Sequence, residues 1–229
     1  MDLDLNCLEI LTTCELKGGT ESMTKIDLKK ENKEFYYPKK GQVNLVDIPE
    51  MNFLMLDGKG DPNTSQEYPA AMETIFPVSY KTKFMSKKEL SKDYVVMPLE
   101  GLWWTEKMEE FSVDDKSSWQ WRVMIRQPDF IDASMIKNAV EEISKKKELP
   151  SVSKLKLEKF DEGLSAQILH VGPFSEEGST VSKLHEYIET NGYSFDGSVD
   201  GGKHHEIYLS DIRRAKPENL KTVIRQPVK

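Results

Sequence analysis

Two predicted β-strands each carry a glutamate beside large aromatic residues. Side chains alternate between the two faces of a strand, so Glu206 and Tyr208 share one face of theirs. In the other strand, Glu100 and Trp104 share a face and Trp103 points to the opposite one. If a two-fold axis relates the two strands, both glutamates approach the same groove.

A carboxylate among aromatic side chains has two chemical uses. It can pair with a cationic aromatic ligand, helped by cation–π contacts. With its pKa raised by burial, it can instead exchange a proton with water or substrate. The ordinary alternative is that each Glu is exposed or paired with Arg213 or Arg214, and that the aromatic residues are core. The paired placement of the two glutamates favours the groove.

Other familiar active-site motifs are missing from the sequence. There is no G-x-S-x-G, P-loop or H-E-x-x-H pattern, and Gly58 and Gly60 lack the third glycine of a dinucleotide site. His204 and His205 are adjacent, so a regular strand points them to opposite faces, where they cannot share a metal. The sequence therefore implies no metal and no cofactor.

The elements around these strands recur in the same order. Three short matches occur in both halves: Leu56-Asp57-Gly58 with Leu169-His170-Val171-Gly172, Pro98-Leu99-Glu100 with His204-His205-Glu206, and Ile125-Arg126-Gln127-Pro128 with Ile224-Arg225-Gln226-Pro227. They indicate two β-α-β-β modules, at about 44–147 and 154–229. We expect an α+β fold with antiparallel sheets, a pseudo-two-fold axis and a central ligand groove. The alternative is that the two halves are ferredoxin-like units whose similarity does not come from duplication.

Local patterns predict the individual elements. Apolar residues at helical spacing predict a helix from Ser65 to about Lys83, which Pro77 should kink or divide. Aromatic and β-branched residues predict a strand over Tyr94–Trp104. Asp161-Glu162-Gly163 indicates a hairpin turn, and Ser175 is a candidate cap for the helix of the second half.

Composition restricts the class of protein. The 229 residues carry a formal net charge of -7, which argues against a general nucleic-acid binder. No apolar run approaches the roughly 20 residues of a membrane helix, and Cys7 and Cys14 are too few for a disulfide framework. A cytoplasmic protein is expected. Residues 1–22 are interpreted as an N-terminal extension, possessing no clear element, with Met23 as the candidate biological start.

Several segments resemble stand-alone GyrI-like small-molecule-binding proteins. They are HHEIYLSD at 204–211, HVGPFSEE at 170–177, PLEGLWW at 98–104 and LDGKGDP at 56–62. The resemblance covers about residues 23–229, taken as one domain, and implies two β-α-β-β modules around a central groove. No helix-turn-helix pattern precedes residue 50, so no direct contact with nucleic acid is expected.

The resemblance implies three alternative functions. In drug-binding relatives an acidic strand residue contacts the ligand cation, and Glu206 matches that position. Other stand-alone relatives hydrolyse cyclopropane-containing, DNA-alkylating natural products, with aromatic residues holding the ligand while Glu and Tyr assist the attack of water. The namesake relatives protect or inhibit DNA gyrase.

We therefore expect a groove that binds hydrophobic or aromatic small molecules and hydrolyses cyclopropanoid genotoxins. Glu206 or Glu100 is the candidate general base, and Tyr208 the candidate donor to the oxygen that gains charge as the ring opens. The aromatic residues expected to hold the ligand are Trp104, Trp103 and Tyr68. A non-catalytic drug-sequestering protein and a gyrase-modulating protein are the alternatives. The oligomeric state is left open.

Overall fold

A computed structural model describes residues 24–106, 115–196 and 203–229. The predicted extension at 1–22 lies outside these ranges, so its interpretation stays a prediction. Within them, no helix is both long enough and apolar enough to span a bilayer. The described chain forms eight strands and five α-helices.

The strands and helices have the following bounds. The strands are β1 (Asn44–Ile48), β2 (Met51–Lys59), β3 (Glu100–Trp104), β4 (Gln120–Arg126), β5 (Lys156–Phe160), β6 (Gly163–Val171), β7 (His204–Tyr208) and β8 (Lys221–Pro227). The helices are α1 (Leu28–Glu31), α2 (Lys33–Tyr36), α3 (Glu67–Glu89), α4 (Ala133–Ser144) and α5 (Gly178–Thr190).

The strands form one antiparallel sheet in the order β1-β6-β8-β7-β3-β4-β2-β5. On either side of the β7–β3 pair the element order is the same: β2-α3-β3-β4 in one half and β6-α5-β7-β8 in the other. Each half also lends a strand to its neighbour, since β1 pairs with β6 and β5 pairs with β2. The predicted α+β, antiparallel fold is confirmed, as one continuous sheet. That the halves arose by duplication stays a prediction.

The sheet curls into a half-barrel. Residues 49–50 alone join β1 to β2, and residues 161–162 alone join β5 to β6, although each pair lies in different halves of the sheet. Such short connections require the two edges to approach each other. The hairpin predicted at 161–163 is therefore wrong, because β6 is paired on both sides by β1 and β8.

Two other predicted elements have different bounds in the structure. The first large helix, α3, runs without a break through Pro77 and extends to Glu89. The strand predicted from Tyr94 begins only at Glu100. Its first part includes Pro98, which has no N–H to donate to a ladder, and makes only an isolated bridge between Tyr94 and Ile26.

Helices α3 and α5 cover the same face of the sheet, here called the helix face. Tyr68 of α3 stacks on Trp103, and Thr180 of α5 hydrogen-bonds to His170. Residues directly opposite each other in neighbouring strands share a face. His170 is opposite Thr222 of β8, which is opposite Tyr208 of β7, and His204 of β7 is opposite Trp103. His170 and Trp103 therefore lie on the same face of the sheet. Because α3 packs on β2 and β4 while α5 packs on β6, the central strands lie between the helices.

Candidate functional site

Glu206 lies on the helix face of the central strand β7. Its carboxylate accepts a 2.7 Å hydrogen bond from the Tyr208 hydroxyl and lies 3.1 Å from His204 Nε2. These are alternate residues of one strand, so strand geometry alone brings them together. Burial raises the pKa of Glu206, but the hydrogen bond and charge of His204 and the Tyr208 hydroxyl outweigh it, and the pKa lies below its ordinary value. The carboxylate is ionised at neutral pH.

Aromatic rings form a wall beside this carboxylate. Tyr68 stacks on Trp103 at 5.9 Å between ring centroids and meets Trp121 edge-on at 5.3 Å. Trp119 lies 5.5 Å from Trp103. Trp103 is directly opposite both Trp121 and His204 in the sheet, so the wall continues into the Glu206 strand. The structure thus brings together Glu206, Tyr208, Trp103 and Tyr68 of the predicted site residues.

Two glycines allow the tryptophan rings to lie flat on the sheet. A Cβ atom at Gly58 would come within 2.1 Å of the Trp121 ring, and one at Gly101 within 2.9 Å of Trp103 Nε1. Gly101 is also directly opposite Glu206. The Trp103 indole nitrogen therefore lies over the strand position next to the carboxylate.

Replacing Gly58 with Ala is expected to destabilise the protein by about 1–3 kcal/mol, because the added methyl overpacks the sheet and displaces the Trp121 ring. Urea denaturation followed by tryptophan fluorescence measures the change. Gly178→Ala is the matched control, since a Cβ there meets no atom within 4 Å. Equal midpoints for Gly58→Ala and Gly178→Ala would contradict the flat placement of Trp121.

Buried polar atoms without a hydrogen-bond partner collect at this face. In the described ranges they are Trp103 Nε1, Trp121 Nε1, Glu177 Oε1, Thr222 Oγ1 and Gln226 Oε1, together with Ser79 Oγ on α3. Thr222 is directly opposite Tyr208, and Gln226, four residues further along β8, points to the same face. Unsatisfied buried groups are rare in folded proteins, and the presence of four of them around Glu206, on Trp103, Trp121, Glu177 and Thr222, indicates a site for ligand or water.

Glu177 is a second carboxyl group at this site. It occupies the N-cap position of α5 without capping the helix through its side chain, and it is 8% exposed. Burial and the negative charge of Glu206 raise the pKa of Glu177 to about 8. At neutral pH the site therefore holds one ionised and one protonated carboxyl, which is the arrangement of an acid–base pair.

Sequence reasoning missed Glu177. The helix was predicted to begin after Ser175, whereas a 3-10 turn over Phe174–Glu176 delays its start to Gly178. That turn leaves Glu177 just ahead of the helix, where it is buried beside Glu206 and Thr222 of the sheet. The Glu176-Glu177 pair was visible in the sequence, but periodicity does not tell which of the two is buried.

Glu100 does not share the groove with Glu206, contrary to the geometric expectation. Gly101 is opposite Glu206, so Glu100 is opposite Ile207 and points to the other face of the sheet. Trp104 alternates with Trp103 and lies on that other face too, with Lys203 Nζ 5.0 Å from its ring centroid. Of the predicted residues, Glu100 and Trp104 are thus separated from the Glu206 cluster.

The error is a shift of one residue in matching the two halves. Val123 and Thr222 each stand two residues ahead of the repeated Ile-Arg-Gln-Pro sequence. Val123 pairs with Gly101, and Thr222 pairs with Tyr208, so Gly101 corresponds to Tyr208. Leu99 rather than Glu100 then corresponds to Glu206. A shift of one residue along a strand exchanges its faces.

Glu100 belongs to a buried network on the other face. Glu100 Oε2 lies 3.1 Å from His205 Nε2, and His205 Nδ1 lies 2.8 Å from Glu162 Oε1. Arg225 Nη1 donates to Glu162 Oε2 at 2.9 Å, and the Tyr36 hydroxyl donates to Glu100 Oε1 at 3.3 Å. Every one of these side chains is buried. The network joins β3, β7 and β8 to α2 and has no oxygen of Glu100 left over for a ligand.

Stability is expected to fall as the pH rises through about 9, because the network needs a protonated His205. Burial lowers the pKa of His205, but the charges of Glu162 and Glu100 and their hydrogen bonds raise it to about 9. In the unfolded chain the pKa is about 6.5, so the stabilisation is complete below that pH and disappears between the two values. Urea midpoints from neutral to alkaline pH measure it.

Glu177 also makes stability depend on pH. Its pKa is raised in the folded protein, so its contribution to stability is lost as the pH rises from the unfolded value near 4.5 to about 8. Measuring the urea midpoints in Glu177→Gln separates the two effects. Glu177→Gln removes that contribution and should leave the alkaline loss from His205. A midpoint that stays level from pH 7 to pH 10 in Glu177→Gln would contradict a protonated His205.

One further concavity lies on the face opposite α3 and α5. It has a volume of about 490 Å³ and is lined by Tyr37, Pro38, Leu169, Val171, Leu209, Ser210, Asn219 and Lys221. None of its polar side chains is among the unpartnered buried groups of the described chain. The described residues also contain no group of three or more His, Cys, Asp or Glu side chains arranged for a metal ion.

Solved structures similar to this chain share its fold. An uncharacterized conserved protein from Listeria innocua is 46% identical, with a TM-score of 0.82, over 90% of this chain and 100% of that one. A hydrolase from Listeria innocua is 45% identical, with a TM-score of 0.79, over the same shares of both chains. The EcmrR C-terminal domain, at 14% identity and a TM-score of 0.51, covers 82% of this chain and 97% of its own and shows the fold alone.

The family comparison agrees with these structures. No curated protein matches the sequence. The model of the GyrI-like small molecule binding domain matches residues 41–229, which include every strand of the sheet and both carboxyl groups of the helix face. The chain therefore belongs to the GyrI-like small-molecule-binding family.

Proposed function

We propose that the helix face binds a flat hydrophobic molecule and hydrolyses a cyclopropanoid ring in it. The observation that carries this proposal is the ionised Glu206 carboxylate, held by Tyr208 and His204 beside a wall of Trp and Tyr rings. Two similar proteins from Listeria innocua, at 45% and 44% identity, are hydrolases by name. Their name supports hydrolysis here but says nothing of the substrate.

In the proposed reaction Glu206 acts as general base. Its ionised carboxylate takes a proton from a water molecule as that water attacks a ring carbon. The strained carbon–carbon bond breaks, and its electron pair moves to an oxygen conjugated with the ring. Because the ring is already strained, positioning and one base supply much of the required acceleration. Glu100 is not the proposed base, since both its oxygens are engaged in the buried network.

The aromatic residues and Tyr208 have supporting roles. Tyr68, which stacks on the buried Trp103, presents the more exposed aromatic surface of this pair to a flat ligand, and the indole N–H groups of Trp103 and Trp121, which have no partner in the protein, can donate to ligand oxygens. The Tyr208 hydroxyl donates a hydrogen bond to Glu206, so it orients the base in the free protein. Trp104 lies on the other face and has no part in this proposal.

A sequestering protein is the second candidate. An ionised carboxylate beside aromatic rings also suits a cationic aromatic ligand, which such a protein would release unchanged. A gyrase-modulating protein would use surface residues, and Glu206→Gln would leave its effect intact. We place the proposed hydrolysis in the cytoplasm as a detoxifying reaction, which removes the alkylating compound before it reaches DNA.

Counting turnovers separates hydrolysis from sequestration. A cyclopropanoid DNA-alkylating compound is incubated in large excess over the wild-type protein and followed by mass spectrometry. Hydrolysis gives many equivalents of the water-added product per protein chain. Sequestration gives one bound, unchanged equivalent and no product above the rate in buffer, which would overturn the catalytic proposal.

A further inference from the structure

We propose that Glu177 is a second catalytic residue of the helix face, which donates a proton as a carboxylic acid to the substrate oxygen that gains charge when the ring opens. This inference rests on the proposed function. It adds the acid that a reaction with Glu206 as base requires, and it transfers that role from Tyr208 to the N-cap residue of α5.

Geometry makes Glu177 available for this role. Its side chain is buried, makes no capping bond to its own helix and leaves Oε1 without a hydrogen-bond partner. The charged and titratable groups that face it are Glu206 and Tyr208 from β7 and Lys116 from the turn ahead of β4. The Thr222 hydroxyl of β8 lies beside it, outside hydrogen-bond geometry. A buried carboxyl oxygen without a partner in the protein is free to bind a ligand atom.

Tyr208 is poorly suited to donate this proton. Its hydroxyl hydrogen is already directed at Glu206 Oε2, at 2.7 Å. Burial and the nearby Glu206 charge raise the pKa of Tyr208 well above its ordinary value, which makes the phenol a weaker acid. An acid works best when its pKa lies near the working pH. Burial and the charge of Glu206 bring the pKa of Glu177 to about 8, which meets that condition.

The proton balance closes with these two carboxyls. Water loses one proton to Glu206 and forms the new carbon–oxygen bond, while the ring carbon–carbon bond breaks toward the conjugated oxygen. Glu177 gives its proton to that oxygen and becomes a carboxylate. Transfer of the proton on Glu206 back to Glu177, through solvent, restores both groups. The net change is the addition of one water molecule to the substrate.

The test uses a spirocyclopropyl cyclohexadienone, which opens with water to a hydroxyethyl phenol. Ring-halogenated analogues give more acidic phenols, whose oxygens need less help from an acid. Glu177→Gln is expected to lower kcat on the parent compound by about a hundredfold or more and to lose progressively less as the phenol becomes more acidic. Glu176→Gln, the exposed neighbouring glutamate, is the matched control and should behave as wild type.

The pH profile gives an independent readout. Wild-type kcat should fall as the pH rises through about 8, where Glu177 loses its proton, and this fall should be missing in Glu177→Gln. Difference infrared spectra of the two proteins at neutral pH should show the carbonyl band of a protonated carboxyl in wild type alone. The infrared measurement needs no substrate.

The outcomes distinguish the two proposals. If wild type hydrolyses the compound and Glu177→Gln shows the same loss of rate with every analogue, the acid role is overturned while hydrolysis stands. The same holds if wild type lacks the carboxyl band. If wild type itself forms no product, both proposals fall. Should Glu177→Gln not fold, Glu177→Asp keeps an acid at a shorter reach and is expected to retain the alkaline fall in rate.

Discussion

Glu206→Gln is expected to lower kcat for ring hydrolysis by about 10²–10⁴-fold, the usual contribution of a general base. Glutamine has the shape of glutamate and can still accept the Tyr208 hydrogen bond, but it cannot take a proton from water. The aromatic wall of Trp103, Trp121 and Tyr68 is unchanged, so the Kd for a neutral ligand should change less than about tenfold. Product formation by mass spectrometry and ligand binding by tryptophan quenching measure the two effects separately.

A matched variant tells a missing base from a general loss of charge. Glu158→Gln changes an exposed strand glutamate on β5 in the same way and should leave kcat unchanged. Unchanged turnover in Glu206→Gln would mean that another residue is the general base. A loss of binding for cationic ligands alone, with no turnover in wild type, would favour the sequestering protein.

Glu162→Gln is expected to reduce the free energy of unfolding by about 3–5 kcal/mol, as for other broken buried ion pairs. The Glu162 carboxylate connects His205 and Arg225, and all three side chains are fully buried. Burial raises the pKa of Glu162, but the charges of His205 and Arg225 and their hydrogen bonds lower it to about 2. Neutral glutamine leaves the buried Arg225 cation without its ion-pair partner and leaves His205 with Glu100 alone. Urea denaturation at neutral pH measures the loss.

The control for this second prediction is an ion pair in solvent. Asp211 contacts Arg213 on the surface, so Asp211→Asn should leave the urea midpoint nearly unchanged. A loss of less than about 1 kcal/mol in Glu162→Gln would mean that the buried network contributes little to stability. Because the network lies on the face opposite α3 and α5, folded Glu162→Gln should retain the ligand affinity of wild type.

The two faces of the sheet differ in how their polar groups are used. On the face opposite α3 and α5, His205 joins Glu100 to Glu162, and Arg225 pairs with Glu162 and holds α2 to the sheet. On the helix face, Glu177 Oε1 and the indole nitrogens of Trp103 and Trp121 have no hydrogen-bond partner. Buried polar groups without partners do not stabilise a fold. The unpartnered groups of the helix face therefore indicate that a bound ligand supplies their hydrogen bonds.

Strand periodicity predicted the local part of the site. Alternation alone placed Glu206 with Tyr208 and turned Trp103 away from Trp104, as the structure shows. The start of helix α4 is likewise set by a local feature, since Asp132 accepts a hydrogen bond from the Met135 N–H. These features depend on residues close together in the chain.

What depends on distant residues was not predictable. The position of Glu100 relative to Glu206 is set by the register between β3 and β7, which a shift of one residue in the repeat alignment reversed. The short link at 161–162 looks like a hairpin until β6 is seen between β1 and β8. The contact of Glu177 with the sheet depends on where α5 docks, and no local pattern encodes that.

The central claim is that ligands bind on the helix face, against Glu206 and the tryptophans. A crystal structure of Glu206→Gln with the spirocyclopropyl cyclohexadienone soaked in tests it most directly, because the slow variant should keep the compound intact. We predict that the ligand ring lies against Trp103 and Tyr68, with its oxygen near Glu177. A ligand found instead in the cavity beside Tyr37 and Leu169, on the opposite face, would contradict the assignment of the site.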